Sequence, residues 1–214
     1  NVFIDSDIDT VGERDDISAM ALWLATQEHF NLVGLTASAP DSNSQEYLNC
    51  IDAYEADLPV LLSHTTHPDR LKAPASLRAM VRQGSKVDAP AKGYWDPGDS
   101  GYAAVHACAQ DMLAAAGTYG SAEAPLWVII QGGYTTLAQA AHEAVALGQL
   151  PDFFQRVRII GQPNYNSGWA PNAWGYLFNN IWPAAGTPGL FGEAWMLSGY
   201  YQWHAFNRDN GTTD

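Results

Sequence analysis

Basic residues are scarce in this sequence. Lys and Arg total 10 against 23 Asp and Glu in 214 residues, a formal charge of −13, and only Lys72, Lys86 and Lys92 are lysines. No basic stripe offsets that balance, so a phosphate backbone would be repelled and nucleic acid is excluded as a partner. Long apolar runs are missing too. None approaches the roughly 20 residues of a membrane-crossing helix, so no membrane partner is expected. No signal-peptide pattern is present, and Asn1 in place of Met fits a processed or trimmed start. Cysteine is limited to Cys50 and Cys108, too few to define a disulfide framework; a Cys50–Cys108 bridge and two buried thiols are both left open. No internal repeat or low-complexity linker divides the chain. With 47% hydrophobic and 15% charged residues, the expectation is one globular domain over residues 1–214. Eight tryptophans beside three lysines lean towards an extracellular or periplasmic protein, with a cytoplasmic one as the alternative.

Hydrophobic patterning then gives the elements. Val2–Ile4 reads as a short buried strand, and Ile17–Ala25 as a helix apolar on most faces. Strands are expected at Leu32–Ala37, Leu58–Leu62, Leu126–Ile130 and Arg156–Ile160. Helices are expected at Asn43–Ala56, Tyr102–Ala116, Thr135–Leu147 (capped by Thr135, stopped by Gly148) and Gly192–His204. The stretch Gln83–Gly101 lacks periodicity and reads as an ordered loop or lid. Trp23 and Trp127 fall in apolar runs and are expected in the core. Alternating strands and helices predict an α/β fold with a mainly parallel, Rossmann-like sheet covered on both faces. Ligands in such sheets sit beyond the carboxyl ends of the strands, which points at the loops after Ile4, Ala37 and Ile130.

The first of these loops is the most charged part of the chain. Asp5, Asp7, Asp9, Glu13, Asp15 and Asp16 place six carboxylates within twelve residues. Asp15 or Asp16 alone would be read as a helix-start residue, where carboxylates are favoured. That does not account for Asp5 and Asp7 at the end of a buried strand. So many like charges need a bound proton or a cation, and a hard divalent ion with oxygen ligands meets that need. An aspartyl-phosphate enzyme also opens with Asp-x-Asp after its first strand, but that scheme has no use for Asp15-Asp16, and Asp9 stands where Thr or Val is usual.

Asp5-Ser6-Asp7, a Gly-containing loop and Asp15-Asp16 before an apolar helix resemble the signature of the nucleoside hydrolase superfamily of inosine–uridine-preferring type. Gln131-Gly132-Gly133-Tyr134-Thr135-Thr136-Leu137-Ala138 is similar to that family's turn after the central strand. Through LWVIIQGG, TLAQA and the Asn/Trp-rich segment after Ile160, the likeness is greatest to a branch found in secreted bacterial proteins.

The resemblance implies a Ca2+ cofactor and hydrolysis of the N-glycosidic bond of a ribonucleoside or related riboside. Asp7 would be general base and calcium ligand, Asp16 a bidentate ligand, and the Gln131 carbonyl part of the shell. Asp15 would bind ribose hydroxyls and Asp5 would orient its neighbours. Asp41 and Asn43 lie where the family places a polar sugar contact. Asn166, Trp169 and Asn172 fall in a loop suited to stacking on a base or sugar. His106, His142 and His204 are read as structural. The chain departs from the family in a longer acidic linker, in the absence of a recognisable late calcium-binding Asp, and in Tyr176-Leu177-Phe178-Asn179 where a Glu-Phe-Asn sugar contact is usual. Set against family length, a C-terminal portion would be missing. These departures keep a second expectation open, a non-catalytic, carbohydrate-directed sugar-binding domain that retains the metal site. The expected partner is thus a small riboside or sugar, with self-association added by the habit of the family.

Overall fold

The computed structural model of the protein describes residues 1–9, 14–161, 168–181 and 196–198. Among these, six strands form one sheet: β1 (Val2–Ser6), β2 (Leu32–Ala37), β3 (Val81–Gln83), β4 (Leu126–Ile130), β5 (Val157–Gly161) and β6 (Met196–Ser198), in the order β3-β2-β1-β4-β5-β6. Every neighbouring pair is parallel. The connecting helices are α1 (Arg14–Ala25), α2 (Ser44–His64), α3 (Pro74–Met80), α4 (Tyr102–Tyr119), α5 (Thr135–Ala146) and α6 (Leu150–Arg156), and a short helix at Pro171–Tyr176 runs on into a wide turn at Leu177–Ile181. The chain reverses direction across the sheet between β1 and β4, the position where open α/β sheets form a crevice.

Period-two alternation divides the core between the two faces. Val2, Ile4, Leu35 and Ile129 pack with Met20 and Leu24 of α1, Ile51 and Tyr54 of α2 and Leu77 of α3. Phe3, Val128 and Ile130 pack with Val105 and Met112 of α4, Leu137 and Ala141 of α5 and Phe153 of α6. All five residues of β1 are buried, so Asp5 and Ser6 enter the interior from the central strand.

Several expectations need correction. Leu58–Leu62 is not a strand but the last part of α2, which continues to His64 around Pro59. Ile51, Tyr54, Leu58 and Leu61 recur at helical spacing and face inwards, whereas Val60 is 59% exposed. The third strand is Val81–Gln83, at the start of the stretch read as loop. Helix α4 passes through Gly117 to Tyr119. Tyr134, not Thr135, occupies the cap position of α5. Helix α6 had no clear signal, because its seven residues give barely two turns of pattern. Within the expected helix Gly192–His204, Met196–Ser198 is strand, and the other residues lie outside the described ones. Helix α1 buries one stripe, Asp16, Met20 and Leu24, and leaves Leu22 65% exposed. Trp127, the second residue of β4, is 37% exposed and so does not belong to the core. Trp23 is half-buried against Phe30, with ring centroids 5.0 Å apart. Cys50 and Cys108 are both free, and burial pushes their thiols up to about 11 and about 12.

Pro59 cannot donate to the Glu55 carbonyl and crowds the preceding turn. Its surroundings are exposed, so no packing depends on the ring. Pro59→Ala is expected to stabilise the protein by about 1–3 kcal/mol, read as a higher urea midpoint with unchanged slope.

Candidate functional site

The carboxyl ends of β1, β2 and β4 meet beside α1. The Gln131 backbone N–H donates to the Asp5 carbonyl at 2.8 Å, and the Ser38 N–H donates to the Ser6 carbonyl at 2.9 Å. Gly132 lies where these chains converge. A Cβ placed there would stand 2.6 Å from the Ser38 carbonyl oxygen and 2.7 Å from the Asp7 nitrogen, so only glycine lets β4 turn so close to the acidic loop. The loop after β2 is tied in as well. The Asn43 N–H donates to the Ile8 carbonyl at 2.8 Å, and Ala39 takes a left-handed φ of 111° while its N–H donates to the Ser85 carbonyl. Gln83, at the end of β3, clamps this corner. Its amide donates to the Ala37 carbonyl at 3.0 Å and to Ser42 Oγ at 3.2 Å, and its carbonyl accepts from the Ser44 N–H at 2.8 Å.

Alternation along β1 sends its polar residues to opposite sides. Asp5 is fully buried and accepts a hydrogen bond from Ser38 Oγ. Burial pushes its carboxyl up to about 7, partly opposed by Ser38 and Thr136. Asp5 Oδ2 and Thr136 Oγ1 are buried without a hydrogen-bond partner among the described residues, so the Thr136 hydroxyl acts on Asp5 from outside good bonding geometry.

Ser6 Oγ donates to Asp16 Oδ2 at 2.5 Å and accepts from the Ile8 N–H at 3.1 Å. Asp16 is buried in the first turn of α1. Burial pushes its carboxyl up to about 6; hydrogen bonds with Asp7 and Ser6 oppose the shift and the Asp15 charge adds to it. Tyr47 of α2 closes the floor, its hydroxyl donating to the Thr36 carbonyl at 3.1 Å. Burial raises this phenol well above its ordinary range, and the charges of Asp16, Asp5 and Asp7 reinforce the rise.

A hydrogen bond between Asp7 and Asp16 needs one of them protonated, since ionised carboxylates only accept. The pair can carry two negative charges only if a cation replaces that proton. The donor chemistry is right for a hard ion, all oxygen, but calcium takes about six to eight ligands. Among the described residues no group of three or more His, Cys, Asp or Glu side chains is arranged to hold a metal. Asp7 and Asp16 are the adjacent pair, half-buried Asp15 immediately precedes Asp16 on α1, and Asp5 occupies the other side of the strand.

The outer candidates are more dispersed. Asp41 is exposed in the loop after β2. Asn43 spends its side-chain oxygen on capping α2, accepting from the Gln45 N–H at 3.1 Å. Trp169 is 45% exposed next to Ala170, whose Cβ would be 3.4 Å from a Cβ on Gly133, so the helical segment at 168–181 borders the crevice. Asn172 fastens that segment to the loop before α4, its side-chain amide donating to the Ala89 carbonyl at 2.8 Å and its N–H to Asp88 Oδ2 at 2.8 Å. Asn166 and His204 lie outside the described residues. His106 pairs with Glu143 at 2.8 Å, and His142 stacks on Tyr94 with centroids 3.6 Å apart. Sequence reasoning missed Ser6, Ser38, Tyr47 and Thr136. Ser6 was legible as a polar residue at the end of a buried strand, whereas Ser38 reaches Asp5 only through the pairing of β1 with β2, and Tyr47 reaches the site only because α2 crosses beneath it.

Residues 1–212 match the model of a family described as cellulose-binding Sde182, nucleoside hydrolase-like domain. The chain belongs to this family. Its nucleoside hydrolase-like fold is shared by a solved structure described as a nucleoside hydrolase-related hypothetical protein from Saccharophagus degradans that is associated with carbohydrate metabolism. The TM-score is 0.63 and the identity 20%, over 85% of this chain and 42% of that one. The chain therefore spans less than half the length of that protein. No curated protein matches it. No helix among the described residues of this nucleoside hydrolase-like domain is long and apolar enough to cross a membrane.

Two outcomes follow from this geometry. Unfolded aspartate titrates near 3.8, folded Asp5 near 7 and folded Asp16 near 6. The folded state thus holds protons that the unfolded state releases. The resulting stabilisation is complete below about pH 4 and is lost as pH rises through about 6 and then 7. In EDTA, the melting temperature of wild type relative to Asp5→Asn should fall by several degrees between pH 5 and pH 8; a parallel pair of profiles would contradict the Asp5 assignment. Gly132→Ala should cost at least about 2 kcal/mol in urea unfolding, because the methyl meets backbone of both β1 and the β2 loop.

Proposed function

We propose that this domain is carbohydrate-directed and recognises the vicinal hydroxyls of a sugar at the acidic crevice, in a calcium-dependent manner and outside the cytoplasm. The observation that carries the reading is the contact between Asp7 and Asp16 at the β1/β4 crevice, two carboxyls that need a proton or a cation between them. Asp7, Asp16 and the Gln131 carbonyl would hold the ion, Asp15 would meet sugar hydroxyls, and Asp5 would brace β1 from the opposite side. Calcium, when bound, supplies charge compensation and an anchor for a diol. The description of the matching family as cellulose-binding, and of the structural relative as associated with carbohydrate metabolism, supports a sugar partner.

A second reading keeps catalysis. Asp7 is half-buried at the crevice, where its carboxylate could take a proton from water attacking the anomeric carbon of an oxocarbenium-like ribosyl group, with the base nitrogen as leaving group. Asp5, Asp15 and Asp16 would then position Asp7 and the ribose.

Titration calorimetry separates the two. Wild type is expected to bind calcium, with affinity at least about a hundredfold weaker in the Asp7→Asn/Asp16→Asn variant. D-ribose and cellobiose should bind in calcium, lose binding in EDTA, and be recovered intact. Release of free base from inosine or uridine moves the assignment to the hydrolase. Absence of both calcium and sugar binding overturns the calcium-dependent site altogether.

A further inference from the structure

We propose that the uncharged surface of residues 168–181 is a second sugar-binding surface, continuous with the crevice and suited to a neutral, linear β-glucan. It rests on the carbohydrate reading above but not on calcium.

The first observation is a gap in the charge pattern. Between Arg158 and Glu193 the chain holds no Asp, Glu, Lys, Arg or His, in a protein that otherwise carries 23 acids and 10 bases. Five asparagines stand in that gap, Asn164, Asn166, Asn172, Asn179 and Asn180. A charged polymer, whether nucleic acid, polyuronate or anionic lipid, would find no counter-charge along it. A neutral ligand dense in hydroxyls would find amides, which both donate and accept.

The second observation is the placing of the aromatics. Trp174 and Phe178 are four residues apart and share one side of the helical segment. Their rings lie 28° from parallel with centroids 6.1 Å apart. Trp174 is half-buried and backed by Tyr134 at 4.8 Å, whereas Phe178 is 53% exposed. Trp169 is 45% exposed at the end of the segment nearest the crevice, and Asn179 and Asn180 are exposed beside Phe178. Aromatic faces next to amides match a pyranose, whose ring faces present C–H groups and whose edges present hydroxyls.

The third is rigidity. Asp88 accepts hydrogen bonds from the Asn172 and Ala173 backbone N–H groups, and Asn172 reaches Ala89. Gly93 lies against Tyr176 so closely that a Cβ there would stand 2.1 Å from the Tyr176 Cβ. Little ordering is left to be done when a ligand binds, and Asp88, the carboxylate that bonds to the segment, is engaged with backbone. With one end at Ala170 beside the crevice, the surface is placed to carry the continuation of a chain whose terminal sugar occupies the acidic site.

The test uses cellohexaose in titration calorimetry, in EDTA and in calcium, with wild type, Trp169→Ala/Phe178→Ala and Asp7→Asn/Asp16→Asn. Wild type is expected to bind cellohexaose in EDTA, and the aromatic variant to bind it at least about tenfold more weakly at an unchanged melting temperature and calcium affinity. The aspartate variant should keep this calcium-independent binding even where it loses calcium and ribose, so failure at the acidic site is read separately from failure here. Unaltered cellohexaose affinity in the folded aromatic variant, no binding by wild type in EDTA, or equally strong binding of hexagalacturonate would each overturn the proposal.

Discussion

The burial of carboxyl groups at the end of the central strand is the constraint around which the rest of the protein is arranged. A carboxylate loses its hydration on burial and must be repaid by hydrogen bonds, a proton or a cation. Ser6, Ser38 and Tyr47 line that end of β1, and the Asp7–Asp16 contact leaves one further positive charge to be supplied. The neighbouring features follow from keeping those groups in place. Gly132 allows β4 to turn against β1, the Asn43–Ile8 bond holds the acidic loop to the start of α2, and Gln83 fixes the loop after β2 from the edge of the sheet.

Alternation along β1 gives this region two chemistries from consecutive residues. Asp5 faces one interior, where it accepts from Ser38 and burial raises its carboxyl well above the usual carboxylate range. Ser6 faces the other and serves the Asp7–Asp16 pair, which opens towards the crevice. A strand that is buried on both sides can therefore place a buried carboxyl on one side and a serine bonded to Asp16 on the other without a break in its pleat. The same topology brings the uncharged helical segment to the rim, so a carboxylate-rich floor and a charge-free wall lie next to one another.

Much of this was legible in the sequence wherever the signal was local. Continuous apolar runs at Val2–Ile4, Leu32–Ala37 and Leu126–Ile130 are strands, and the carboxylates after the first of them lie at the strand end as their order demands. What failed was reading from runs too short to set their period. The short apolar run Leu58–Leu62 looked like a strand because its inward-facing residues belong to a stripe that begins earlier in α2, and a long helix tolerates the bond lost at Pro59 when the proline faces solvent. The three residues of β3 are too few to announce themselves, and their place is set by pairing with Leu35–Ala37. Ser38 and Tyr47 escaped notice for another reason. They are separated from Asp5 and Asp16 in sequence and converge only through the parallel register and the packing of α2.

The segment between β3 and α4 has little regular structure, yet it is not loosely held. Trp95 is buried, and Gln139 of α5 bonds it twice, accepting from its N–H at 2.9 Å and donating to its carbonyl at 3.2 Å. One side-chain amide thus stands in for a neighbouring strand. Solvent exchange of the Trp95 amide proton is then governed by the opening of α5 and not by the loop itself, so a segment that looks like a lid by composition keeps time with a core helix.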